Sequence, residues 1–78
     1  FAEGGPARGI YILSTGRATV SIASSEGRVV ILRMAEEGDV LGLNAVLRGS
    51  TYEATMKILG PSRVDFISRA ELDRKSVV

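Results

Sequence analysis

The sequence contains no cysteine and no histidine. Without cysteine, the chain can form no disulfide, thiolate metal site or thiol nucleophile. Without histidine, it lacks the commonest metal ligand and the commonest general base at neutral pH. No apolar run approaches the ~20 residues that a membrane-spanning helix needs, and we identify no signal-peptide pattern. These absences predict a cytoplasmic protein that is not an enzyme and that has no metal site and no membrane partner.

The remaining composition is that of an ordinary globular domain. The 78 residues are 45% hydrophobic and 24% charged, with a net charge of +1. Basic and acidic residues are scattered along the chain, which argues against a dedicated nucleic-acid surface. The chain begins at Phe1 rather than methionine and ends on two valines. We therefore expect one domain over residues 1–78, cut from a longer protein.

Alternating apolar and polar residues predict an all-β fold. Glycine-rich turns separate about six short strands at ~8–12-residue spacing, which favours a sandwich or barrel over βαβ units. The predicted strands are 9–14, 17–23, 28–34, 40–41, 52–59 and 63–67. The strand 28–34 is expected to be buried on both faces, and Met34 and Met56 are expected in the core.

Two helices are predicted among these strands. The stretch "GDVLGLNAVLRGSTYEAT", residues 38–55, interrupts the strand pattern with one helical turn, which Asn44 would cap and Gly49 would end. Near the C-terminus, Ser68 and Glu71 match the capping box of a helix that would run through Leu72 to the end of the chain.

The order of these motifs resembles the cyclic-nucleotide-binding domain of Crp/Fnr-type bacterial transcription regulators. The resemblance runs from "FAEGGPARGIYILSTGRATV" through "EGRVVILRMAEEGDVLG" to "VDFISRAEL". Its glycine order is Gly5, Gly16, Gly27, Gly38 and Gly42. The resemblance implies a double-stranded β-helix, or jelly roll, with a short helix in a phosphate-binding cassette.

The resemblance also implies partners. In that family the last helix extends into a dimerisation helix and leads to a helix-turn-helix that reads DNA. Both would lie outside residues 1–78, so we expect a homodimer and DNA binding only in the full-length protein. A small-molecule effector, a cyclic nucleotide of the cyclic AMP type by resemblance, would act on the domain itself.

Two positions of the cassette depart from the family pattern. A glutamate of the family takes the ribose 2′-hydroxyl and an arginine pairs with the cyclic phosphate; Leu43 and Tyr52 stand at those positions. A buried phosphate would lose a bidentate, charge-assisted pair. We therefore expect no tight binding of cyclic AMP. The candidate ligand-binding residues are Gly42, Leu43, Asn44, Ala45, Arg48, Tyr52, Glu53, Ala54 and Thr55.

Several candidates also have an ordinary structural interpretation. Arg48 is either a solvated loop residue or a substitute for the missing arginine, and Asn44 is either a helix cap or a ligand contact. Tyr52 packs in the core or rim, or stacks on a ligand ring. Glu53 and Thr55 are most simply the exposed face of a strand.

Three functions remain open from the sequence. The domain could sense a small molecule other than a cyclic nucleotide, serve as a ligand-free dimerisation or interaction scaffold, or bind cyclic nucleotides through substitute contacts. Cupin enzymes share the jelly-roll topology, but they depend on histidine ligands that this chain lacks.

Overall fold

The computed structural model describes residues 1–76, with side chains described for residues 1–74. Four strands and two short helices follow one another along this part of the chain. They are β1 (Gly9–Ala23), β2 (Val29–Ala35), β3 (Val40–Leu41), α1 (Leu43–Arg48), β4 (Thr55–Ser68) and α2 (Arg69–Ser76). The predicted all-β class with two short helices is confirmed.

The long strand β1 organises the antiparallel sheet. Along one edge it pairs with β4 from Gly9 to Ser21. Along its other edge it pairs first with β3, at Tyr11 and Ile12, and then with β2 over 18–23. Because β3 leads directly into α1, the start of β1 positions the helix of the predicted cassette.

Two of these strands are longer than the sequence predicts. The predicted strands 9–14 and 17–23 are joined in β1, and most of 52–59 is joined to 63–67 in β4. The pairing register shifts on both sides of Thr15, which pairs with Arg63, while Arg17 pairs with Leu59. The irregular segments of the two strands therefore face each other, and each strand continues through a bulge where the sequence predicts a turn.

Buried apolar residues form two clusters. The cassette cluster consists of Ala7, Ile10, Ala45, Val46 and Tyr52, and it joins α1 to the start of β1. The sheet cluster consists of Leu13, Ala18, Ala35, Leu41 and Met56. The predicted burial of Met56 is confirmed.

The prediction that residues 28–34 are buried on both faces is wrong. Val29 is 73% exposed and Ile31 58% exposed, and Met34, predicted to be in the core, is 43% exposed. Among the described residues, β2 pairs with β1 alone. The side chains of β2 point to the two faces of the sheet, and six of its seven residues are exposed because little of the described chain packs over those faces.

The helix ends are partly as predicted. Gly42, with φ 89°, occupies the N-cap of α1 without a side-chain cap, so the predicted capping by Asn44 is wrong. Gly49 caps the C-terminus in the left-handed conformation, as predicted. The backbone N–H of Glu71 donates to Ser68 Oγ at 3.2 Å at the start of α2, which confirms the predicted N-terminus.

The predicted extension of α2 through Val78 falls on residues 77–78, which lie outside the described residues. Within the described part of the chain, neither helix has the length and apolar character needed to cross a membrane.

Candidate ligand-binding site

A cavity of about 340 Å³ opens beside the N-terminus of α1. It is lined by Phe1, Val20, Arg33, Val40, Leu41, Gly42, Leu43, Asn44, Ala45, Tyr52, Glu53 and Ala54. Its volume is near the lower end of the range for small-molecule sites. Most of its lining side chains are apolar, but nearly half of the surface that it exposes is polar.

Most of the predicted candidates meet at this cavity. The lining includes Gly42, Leu43, Asn44, Ala45, Tyr52, Glu53 and Ala54, but not Arg48 or Thr55. Thr55 is the first residue of β4, and its Oγ1 accepts a hydrogen bond from the backbone N–H of Glu3 at 2.9 Å.

Tyr52 lies in the loop before β4, not in a strand as predicted, and is only 6% exposed. Its ring stacks on Phe1 with centroids 4.1 Å apart. Its hydroxyl donates to the carbonyl oxygen of Gly9 at 2.5 Å, and burial raises the pKa of Tyr52 above its ordinary value of 10.0. Tyr52 is therefore a core residue that also forms part of the cavity wall.

Gly42 brings the cassette backbone close to this ring. Its φ of 89° lies in the left-handed region, and a Cβ built on it would lie 2.8 Å from Cε1 of Tyr52. The next residue, Leu43, begins α1 and is 39% exposed. An apolar side chain thus stands where the family resemblance places a glutamate, and it supplies no acceptor for a sugar hydroxyl.

Arg48 is the last residue of α1 and is not among the residues that line the cavity. Its Nη1 is 2.9 Å from Oε1 of Glu53, and both side chains are mostly exposed. Exposed pairs of this kind contribute little to stability. The contact does, however, direct the Arg48 guanidinium toward Glu53, and Arg48 is absent from the cavity wall.

The candidates predicted from the sequence did not include five lining residues, which are Phe1, Val20, Arg33, Val40 and Leu41. Arg33 is part of β2, and its Nη1 is 3.0 Å from Oδ2 of Asp39. The same Oδ2 accepts the backbone N–H of Glu36 at 2.8 Å. The pKa of Asp39 is lowered first by that backbone hydrogen bond and then by Arg33. The sequence pattern of β2 carries no signal that Arg33 would reach the cassette, because this depends on an irregularity in the strand.

The family can now be assigned from sequence. Residues 1–75 match the family model described as the cyclic nucleotide-binding domain. The chain belongs to this family. A comparison with curated proteins found no match.

Solved structures of cyclic nucleotide-binding domains and their relatives share the fold. The cyclic AMP-bound form of the EAL enzyme Bd1971 superposes with a TM-score of 0.86 at 23% identity, covering 100% of this chain and 21% of that one. The CRP-family regulator TTHB099 of Thermus thermophilus has a TM-score of 0.80 at 26% identity, covering 97% and 38%. The predicted jelly roll and the resemblance to Crp-type regulators are confirmed.

A third relative is the cyclic di-GMP-responsive regulator CLP of Xanthomonas campestris. It has a TM-score of 0.85 at 20% identity, covering 95% of this chain and 36% of that one. This cyclic nucleotide-binding domain therefore spans less than half of each of these three structures.

Proposed function

We propose that this domain senses a small molecule within a longer Crp/Fnr-type transcription regulator, through a cavity that no longer holds a cyclic phosphate in the family's usual way. The observation that carries the proposal is the state of Tyr52. It stands at the position of the expected phosphate-binding arginine, yet it is buried, stacked on Phe1 and bonded to the carbonyl of Gly9.

The charges at the cavity support this proposal. A cyclic phosphate needs a bidentate cation or an equivalent set of donors when it leaves water. Leu43 and Tyr52 provide no charge at the two family positions. Arg48, the substitute considered from the sequence, is not among the residues that line the cavity. The cassette is thus better suited to a ligand whose anionic group, if present, lies elsewhere in the cavity.

The cassette cluster provides a physical connection from the cavity to the C-terminal helix. Tyr52 lines the cavity and belongs to this cluster, against which Leu72 of α2 also packs. The N–H of Arg69, the first residue of α2, donates to the carbonyl of Arg8 at 2.8 Å. We propose that ligand binding shifts the balance between two positions of α2, which would pass the signal to a dimer and to DNA-binding elements of the full-length protein.

The proposal is tested by calorimetric titration with cyclic AMP, cyclic GMP and cyclic di-GMP. We expect no binding of cyclic AMP or cyclic GMP with a micromolar Kd. The EAL enzyme Bd1971, known in cyclic AMP-bound and cyclic GMP-bound forms, serves as the positive control. Micromolar or tighter binding of either ligand by this chain would overturn the proposed divergence.

A second candidate is a cyclic-nucleotide sensor with substitute contacts. It is favoured by the structural similarity to the bound forms of Bd1971. If Arg48 is the substitute cation, Arg48→Ala abolishes binding of cyclic AMP. If binding is present and survives that change, another residue holds the phosphate. A chain that responds to none of these ligands, and whose cassette variants regulate normally, would instead be an interaction scaffold.

A further inference from the structure

We propose that Arg33 is the anion-binding residue of the cavity and that its ligand is a small organic anion with an apolar body. This inference rests on the proposed function, since it presumes that the cavity binds a ligand. It concerns a side chain of β2, outside the cassette that carries the family resemblance.

A bulge in β2 places Arg33 at the cavity. Arg33 pairs with Val20 of β1, and Ile31 pairs with the next residue, Ser21, so Leu32 is an extra residue in the ladder. Paired residues on neighbouring strands share a face of the sheet. Arg33 therefore lies on the face of Val20, and both line the cavity. Regular alternation would have put Arg33 on the same face as Ile31. Bulges of this kind commonly redirect a side chain toward a site.

Asp39 holds the guanidinium in one orientation. Its Oδ2 accepts a hydrogen bond from Nη1 of Arg33 at 3.0 Å. The same oxygen accepts a second hydrogen bond, from the backbone N–H of Glu36 at 2.8 Å, which fixes its position. An arginine has five N–H donors in a rigid fork, so this contact leaves most of the fork available to a ligand. The Arg33 side chain is 50% exposed, so a ligand has access to it.

The other charges at the cavity favour an anion at Arg33. Among the lining residues of the described chain, Arg33 is the one cationic side chain, and Glu53 is the one anionic side chain. Glu53 is compensated by Arg48 at 2.9 Å, and the carboxylate of Asp39, outside the lining, is paired with Arg33 itself at 3.0 Å. Most of the other lining side chains are apolar, among them Val20, Leu41 and Leu43. A ligand of matching chemistry therefore carries a carboxylate or phosphate on an aromatic or aliphatic body.

The test uses phenyl phosphate as the probe and benzyl alcohol as its uncharged counterpart. Amide spectra of the ¹⁵N-labelled chain are recorded during titration of the wild type, Arg33→Gln, Arg33→Lys and Arg28→Gln. For the wild type we expect saturable shifts at 41–45 with a Kd on the order of 1 mM, as for a very small ligand. Arg33→Gln should weaken phenyl phosphate binding roughly tenfold or more.

The controls separate a local effect from a general one. Arg28→Gln removes an exposed cation just before β2 that lies outside the cavity lining, and we expect less than about a twofold change in Kd. Arg33→Lys keeps the charge without the fork and should give an intermediate Kd. Benzyl alcohol should bind the wild type and Arg33→Gln equally, which would also show that the variant keeps its cavity.

The inference is overturned if phenyl phosphate produces no saturable shift at the cavity, or if Arg33→Gln binds it as the wild type does. Arg33 would then be only half of a surface ion pair. A different result would contradict the proposed function, namely tight binding of cyclic AMP by the wild type. If Arg33→Gln then removes that binding, the role of Arg33 stands while the proposed divergence falls.

Discussion

Tyr52 is a buried residue of the cavity wall, and the hydrogen bond from its hydroxyl to the carbonyl of Gly9 can be tested alone. Tyr52→Phe removes the donor and keeps the ring that stacks on Phe1. We expect a loss of about 1–2 kcal/mol in the free energy of unfolding, since a buried carbonyl loses its partner. Urea denaturation measures this loss. Tyr11→Phe, in the same aromatic group, is the matched control, and equal losses in both variants would contradict the role of the Tyr52 hydroxyl.

A substitution at Gly42 tests whether the cassette backbone must lie close to the ring of Tyr52. Gly42 and Gly27 have similar positive φ angles, 89° and 80°, but only at Gly42 would a Cβ meet the ring, 2.8 Å from Cε1. Alanine at either position loses about 1–2 kcal/mol to the left-handed conformation. Gly42→Ala should cost about 1–3 kcal/mol more, because the ring must move. If urea denaturation gives equal losses for the two variants, the close approach does not constrain the site.

At the residue scale, the sequence was informative about the cassette and uninformative about the opposite wall. Gly42 to Ala45 and Tyr52 to Ala54 could be located because their order resembles a known cassette. Arg33 and Phe1 could not, because each reaches the cavity through contacts between segments distant in sequence. Nothing in the residues next to Arg33 shows that Leu32 is the extra residue of a bulge.

At the scale of the elements, β2 shows that an apolar strand need not be buried. Ile31 of β2 is 58% exposed, whereas Leu13 of β1 is fully buried. We expect Leu13→Ala to lower the free energy of unfolding by about 2–5 kcal/mol and Ile31→Ala by less than about 1 kcal/mol. Urea denaturation of both variants measures the difference. A comparable loss for Ile31→Ala would show that β2 is covered in solution, for example by another copy of the chain.

Helix ends that are encoded by adjacent residues were predicted well. Strand lengths that depend on pairing with a distant strand were not. The C-cap at Gly49 and the start of α2 at Ser68 each depend on a few adjacent residues. The joining of short segments into β1 and β4 depends on matched irregularities at Thr15 and Arg63, in strands far apart in sequence. Periodicity detects an extended segment, but it does not show whether a glycine between two segments reverses the chain or only bends it.

At the scale of the whole molecule, the described chain is unusually flat. Its extents are 44 × 28 × 14 Å, and its radius of gyration is 12.9 Å, against about 11.5 Å expected for a compact domain of this length. The short dimension is little more than the ~10 Å separation of two packed sheets. This shape accounts for the limited core and the exposed β2, and it places the cavity within reach of both β2 and the cassette.

The pH dependence of folding is a property of the whole chain. The pKa of Asp65 is lowered chiefly by the hydroxyl of Ser14, which donates at 2.6 Å, and the pKa of Asp39 is lowered chiefly by the N–H of Glu36. A carboxyl with a lowered pKa stabilises the folded state above its unfolded value of 3.8, and that contribution is lost as the pH falls through the folded value. Tyr52 has a raised pKa, so its contribution is complete below 10.0 and is lost as the pH rises further.

We therefore expect the free energy of unfolding to be nearly constant around neutral pH, because the sequence has no histidine to titrate there. It should fall on the acid side below 3.8 and on the alkaline side above 10.0. Urea denaturation across the pH range measures the profile. Asp65→Asn should flatten part of the acid decline and leave the alkaline decline unchanged, while Tyr52→Phe should do the reverse. A steep change in the wild type between about pH 5 and 8 would contradict this assignment, since none of these three groups titrates in that interval.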